Sequence, residues 1–125
     1  MVLNYGETLR IRRDLYTILG KIRYIDTHGK IRYEYKLVKH RNNTEFWLRW
    51  DKRREAYQFS KSCGKARPTE MKLVNKGYQM AIGTWGDTEI DTSDVAYYKE
   101  YENADGTATF SVQEWAFETE YSKGF

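Results

Sequence analysis

The chain has one cysteine and one proline in 125 residues. A lone Cys63 cannot form an internal disulfide, which suits a reducing compartment. His28 and His40 are the only histidines. Together with Cys63 they have no ligand-like spacing and no fourth partner, which argues against zinc. No apolar run approaches the roughly 20 residues that a membrane helix needs. The stretch Met1-Val2-Leu3-Asn4-Tyr5-Gly6-Glu7 has neither the basic start nor the apolar core of a signal peptide. The expectation is a cytoplasmic protein without membrane insertion. The glycines match neither a P-loop nor a dinucleotide fingerprint, so nucleotide hydrolysis has no support. Nowhere do apolar residues hold helical spacing for three turns, which leaves strands as the building material.

What is present is aromatic and charged. The chain is 16% aromatic, with 11 Tyr and 4 Trp, and 40% hydrophobic, too apolar for a disordered segment despite 31% charged residues. Its length suits one domain over residues 1–125 with a core that needs neither disulfide nor metal. The net charge of +3 conceals a split. Residues 1–65 carry 16 Lys/Arg against 7 Asp/Glu, and residues 66–125 carry 5 against 11. Such asymmetry bears on partners more than on fold.

The near-duplicates Lys21-Ile22-Arg23-Tyr24 and Lys30-Ile31-Arg32-Tyr33 flank an Asp/Gly turn and predict a β-hairpin. In its second strand Ile31, Tyr33, Tyr35 and Leu37 share one face, and Arg32, Glu34, Lys36 and Val38 the other. The expectation is one buried face and one wet face. Strands at 44–50 and 55–59 continue a meander of about four members opened by residues 16–25. The pattern lapses at 60–70, around Pro68, which predicts a connection between a basic sub-lobe (1–60) and an acidic one (70–125). It resumes at 71–74, 78–85, 95–101 and 107–117, with Asn103-Ala104-Asp105-Gly106 as a second hairpin turn. The fold is predicted to be all-β: antiparallel meander strands in a small barrel or sandwich, as one sheet or two sub-sheets.

Several segments resemble the bacterial DUF4178 family. They are Tyr16-Thr17-Ile18-Leu19-Gly20-Lys21-Ile22-Arg23-Tyr24, Glu34-Tyr35, Trp47-Leu48, Asn75-Lys76-Gly77, Tyr97-Tyr98, Phe110-Ser111-Val112-Gln113-Glu114 and Glu120-Tyr121-Ser122-Lys123-Gly124. Arg32 stands where that family usually carries a Trp. The resemblance implies an all-β domain with an accessory role and brings no catalytic residues.

Candidate sites are few. Carboxylates alternate along Asp87-Thr88-Glu89-Ile90-Asp91-Thr92-Ser93-Asp94, but a calcium loop needs Gly at its sixth position and Glu at its twelfth, where Thr92 and Tyr98 stand. A solvated acidic loop is the reading preferred here. Cys63 would need a base such as His40 and a lowered thiol pKa to act as a nucleophile, and an incidental exposed thiol is the simpler account. Glu114, Glu118 and Glu120 read as the wet face of a terminal strand rather than an acid–base pair. The constellation with most weight is the set Arg23, Arg32, Arg49, Arg53, Arg54, Trp47 and Tyr57: cations for an acidic partner and rings that carry interface energy. With no metal or cofactor expected, the function read from sequence is a non-catalytic module that binds another protein or a second copy of itself. Single-stranded or duplex nucleic-acid binding by the basic half is the alternative, and an enzyme with an unrecognised site is the third reading.

Overall fold

The computed structural model describes residues 3–51, 56–64 and 70–124. These residues form nine antiparallel strands: β1 (Thr8–Ile11), β2 (Asp14–Asp26), β3 (Ile31–Lys39), β4 (Glu45–Asp51), β5 (Ala56–Ser62), β6 (Lys72–Gly86), β7 (Val95–Glu102), β8 (Thr109–Trp115) and β9 (Thr119–Gly124). Strand order is β1-β2-β3-β4-β5-β9-β8-β7-β6, and β6 pairs back onto β2, closing eight strands into a barrel with β1 as an extra strand. The barrel, not the sandwich, is the architecture. Strand β2 makes this possible by length. Residues 14–17 pair with β1, and residues 20–26 pair with β6 along the same edge. Its Tyr16, Thr17, Ile18, Ile22, Tyr24 and Ile25 are the β-branched and aromatic types that favour a pleated surface.

The predicted hairpin is β2–β3, with Tyr24 opposite Arg32 and Ile22 opposite Glu34. Its turn is held by Asp26 Oδ1, which accepts from the backbone N–H groups of His28 (2.9 Å) and Lys30 (3.0 Å). A register shift between Ile18 and Gly20 changes which side chains face inward. Beyond it, paired residues Tyr24/Arg32, Ile22/Glu34, Glu34/Arg49 and Arg49/Gln58 share the inner face. The strand segments expected at 71–74 and 78–85 are one strand, β6. Strands β1 and β9 answer to no separate expectation.

Burial overturns the expectation of one dry and one wet face. On β3, Tyr35 and Leu37 are fully buried, but Glu34 and Lys36 are buried too, while Ile31 is 42% exposed. The reason is closure. The aromatic face of β3–β5 points out of the barrel and is covered by the N-terminal segment and β1. There Leu3, Tyr16, Ile18, Tyr35, Leu37 and Leu48 form a core with Leu9, Ile11, Tyr33, Phe46, Tyr57 and Phe59 against it. The Leu3 N–H donates to Tyr35 Oη at 3.1 Å, and Phe59 packs against Tyr16 and Phe46 with ring centroids 5.6 and 5.8 Å away. Each such aliphatic side chain contributes about 1.5–3 kcal/mol by leaving water. Arg32 and Arg49, on the opposite face expected to be wet, line the lumen instead.

A second core fills one end of that lumen: Ile22, Tyr24, Ala81, Ile90, Ala96 and Trp115, with Trp47 packed against it. Ile90 arrives from the β6–β7 loop, residues 87–94, so the acidic loop is not simply solvated. Its carboxylates at Asp87, Glu89 and Asp91 are exposed, but Thr88 and Ile90 are buried. Gly86 opens this loop at φ +73°, and a side chain there would collide with the Leu19 carbonyl. Lys36 meets the same loop, with Nζ 3.1 Å from Asp87, 3.8 Å from Glu89 and 3.6 Å from Glu45 on β4.

Candidate functional site

The other end of the barrel is open. Strands β2 and β3 and the turn between them bring Asp26, Arg32 and Lys30 to it, β4 and β5 bring Arg49, Gln58 and Ser60, β6 and β7 bring Asn75, Tyr98 and Glu100, and β8 brings Thr109 and Ser111. Together with His28, Ile31, Val74, Tyr101 and Glu102 they enclose a cavity of about 780 Å³. An eight-stranded barrel is just wide enough to hold one small ligand in this way. Beneath the cavity, Arg32, Glu34, Arg49, Tyr98 and Gln113 border a void of about 10 Å³, the space of a single water.

Glu34 is the centre of the floor, at 2% exposure. Its Oε1 lies 3.2 Å from Arg49 Nε and 3.8 Å from an Arg32 nitrogen, and accepts from Gln113 Nε2 at 3.4 Å. A buried carboxylate without such partners would be prohibitively costly. Arg49 also donates through Nη1 to Ser60 Oγ (3.2 Å) and Ser122 Oγ (2.8 Å). Arg32 donates to Glu100 Oε1 at 3.5 Å, an oxygen that also accepts from Asn75 Nδ2 at 3.1 Å. The Arg32 guanidinium lies 5.2 Å from the Tyr98 ring centroid, a cation–π contact that fixes its plane. Gly77 leaves room for this ring, since a Cβ there would stand 3.0 Å from Tyr98 Oη.

The charges are tuned accordingly. Burial alone would lower the Arg32 pKa, but Glu100 and Glu34 more than offset it and hold the cation more firmly than usual. Burial, then the neighbouring Glu34 charge, pushes the Tyr24 phenol well above its ordinary range. Tyr98 is also raised by burial, with Arg32 pulling the other way. Glu120 faces Gln113 across β8–β9. Burial raises its carboxyl, Arg49 lowers it, and the Glu34 charge adds to the rise. Glu120 is therefore a half-buried inner residue, not part of a wet terminal face.

The sequence-derived residues separate in space. Arg32 and Arg49 line the cavity. Trp47 packs on the apolar core at the closed end, and Tyr57 on the outer core, edge-on to Tyr35 at 6.0 Å. Arg23 is exposed and sits opposite Tyr33 on the outer wall. Arg53 and Arg54 lie outside the described residues. Glu34, Gln113, Glu100, Tyr98, Asn75 and Ser122 were not singled out as candidates. Their alternation along each strand was visible, but alternation does not say which face a closed sheet turns inward. Cys63 has its thiol pushed up by burial, against a smaller pull from Lys123, and His40 is hydrogen-bonded to Thr17 Oγ1 at 2.7 Å. Neither suits an activated nucleophile. Among the described residues no group of three or more His, Cys, Asp or Glu is placed to hold a metal ion.

No family model, no curated protein and no solved structure matches the chain.

Proposed function

We propose that the chain is a small-molecule-binding β-barrel whose ligand enters the open mouth. The observation that carries this reading is the cavity of about 780 Å³, within the range of ordinary ligand pockets and floored by a fixed, buried network of charges. The expectation of a macromolecular partner drew on Arg23, Arg32, Arg49, Arg53, Arg54, Trp47 and Tyr57, of which Arg53 and Arg54 lie outside the described residues and five can be placed. Those five divide among lumen, outer wall and two cores rather than forming one face, which favours the cavity as the binding feature. Binding without chemistry fits the floor, where the charged groups already engage one another. The test is a fragment screen followed by amide NMR of the full chain. Resonance shifts should gather on Ser60, Asn75, Tyr98 and Ser111, and Ser111→Trp, which places an indole in the cavity beside its floor, should weaken or abolish them while the folded spectrum persists. Shifts confined to the outer wall, or unchanged by Ser111→Trp, would refute the reading.

A further inference from the structure

The geometry points to an oxyanion subsite at the cavity floor: Arg32 and Arg49 hold the carboxylate or phosphate monoester of a small organic acid. This rests on the barrel-mouth reading and adds the ligand's chemistry to it.

The argument is a count of donors and acceptors. A guanidinium offers five N–H groups and no acceptor. Arg49 commits two hydrogen bonds, to Ser60 and Ser122, and Arg32 one, to Glu100. Their contacts with Glu34, at 3.2 and 3.8 Å, are ion-pair approaches. Arg49 Nε is buried and has no hydrogen-bond partner despite that proximity. Deeper on the same inner face, Trp115 Nε1 and both amide atoms of Gln79 are also buried without partners. Gln79, Ala96 and Trp115 form one cross-strand row. Among the described residues, the unpartnered buried atoms are thus three nitrogens and a single oxygen. Trp115 belongs to the packed core, and neither it nor Gln79 lines the cavity or the void beneath. Of these atoms Arg49 Nε alone therefore bears on an occupant there. Buried polar groups are normally satisfied, and this one calls for an acceptor.

On the wall, one oxygen of each of three carboxylates is engaged. Asp26 Oδ1 takes two backbone N–H groups, Glu100 Oε1 takes Arg32 and Asn75, and Glu34 Oε1 takes Gln113 while facing both arginines. With Glu34 in the floor counted, three cations, Lys30, Arg32 and Arg49, face four carboxylates, Asp26, Glu34, Glu100 and Glu102, so no net positive field draws an anion in. An anion is therefore held by directed donors at short range rather than by a long-range field. A planar, anchored fork is suited to a carboxylate or phosphate where a lysine is not. The cavity is far larger than an inorganic anion, and Ile31 and Val74 on its rim offer a surface for an organic tail.

The experiment is a titration of the 125-residue chain with four probes that share one alkyl tail: hexanoate, hexyl phosphate, hexanol and hexylamine. Hexanoate or hexyl phosphate should shift the Arg32 and Arg49 Nε–Hε resonances and bind at least tenfold more tightly than hexanol or hexylamine; which of the two binds better separates a carboxylate from a phosphate ligand. Arg32→Lys and Arg49→Lys, which keep the charge and remove the fork, should each cost about tenfold in that affinity. The wild-type probe series stands alone if either variant fails to fold. Lumen binding of hexanol or hexylamine as tight as that of the anions would overturn the oxyanion subsite and leave the barrel-mouth reading intact. Absence of any lumen shift with all four probes would overturn both.

Discussion

Glu120 illustrates what a single inward side chain does in this barrel. Burial raises its pKa, helped by the Glu34 charge and opposed by Arg49, so the folded chain keeps this proton to higher pH than the unfolded chain does. The stability this contributes is fully present below the ordinary carboxylate range and is lost as pH rises through the raised folded value. Glu120→Gln removes the cost of ionisation while keeping the side chain's size. The variant should therefore melt higher than wild type at pH 7 and at the same temperature near pH 4, as read by thermal scans at both values. An equal gain at both pH values would mean that ionisation is not the cause. At this scale the sequence was half legible. Alternation paired Arg32 with Glu34 and Tyr33 with Tyr35 on opposite faces, as the strand has them. It could not tell which face is the lumen, because a polar barrel interior and a solvated sheet surface leave the same period of two.

Among the elements, the β6–β7 loop departs furthest from its reading. Asp87, Glu89 and Asp91 advertise an exposed segment, and they are exposed, but Thr88 and Ile90 between them are buried. Thr88 Oγ1 donates to the Ile90 carbonyl at 2.8 Å, and Asp94 Oδ2 accepts from the Asp91 N–H at 2.9 Å, folding the loop so that Ile90 enters the lumen. Glu89 and Ser93 adopt positive φ of 59° and 80° to allow it. One apolar residue in an acidic run carries too little periodicity to announce a plug. Ile90, at 6% exposure against Ile22, Tyr24 and Trp115, should behave as core. Ile90→Ala is expected to destabilise by about 2–5 kcal/mol and Ile90→Val by about 0.5–1.5 kcal/mol. Urea titration with an unchanged slope would read both, and a loss for Ile90→Ala within about 0.5 kcal/mol, the range of surface substitutions, would exclude the plug. The hairpins were legible because Asp/Gly turns act locally. Strand β1 was not, since four residues of modest alternation gain their structure from pairing with β2 and covering Tyr35 and Leu37.

For the whole molecule, the charge split becomes a question of how two arcs hold together. The basic arc β2–β5 and the acidic arc β6–β9 meet at two seams, β2–β6 and β5–β9. Three ion pairs join the arcs among the described residues: Arg32–Glu100 at 3.5 Å, Lys36–Asp87 at 3.1 Å and Lys36–Glu89 at 3.8 Å. Their carboxylates are at least one-third exposed, so each pair adds little. The seams matter more. Either arc alone would present two long unpaired edges and would lose the lumen core, to which Ile22 and Tyr24 come from one arc and Ala81, Ala96 and Trp115 from the other. Two sub-lobes that fold independently would need separate cores, and this core cannot be divided between them. Equilibrium unfolding should therefore be a single transition, with backbone circular dichroism, tryptophan fluorescence and the Ile90 methyl resonance sharing one midpoint. Because backbone pairing rather than charge closes the seams, 1 M sodium chloride should screen the three ion pairs without splitting that transition. Separate midpoints for probes on β4 and β8, at either salt concentration, would show that the arcs fold as independent lobes and that the electrical split marks a boundary in the molecule.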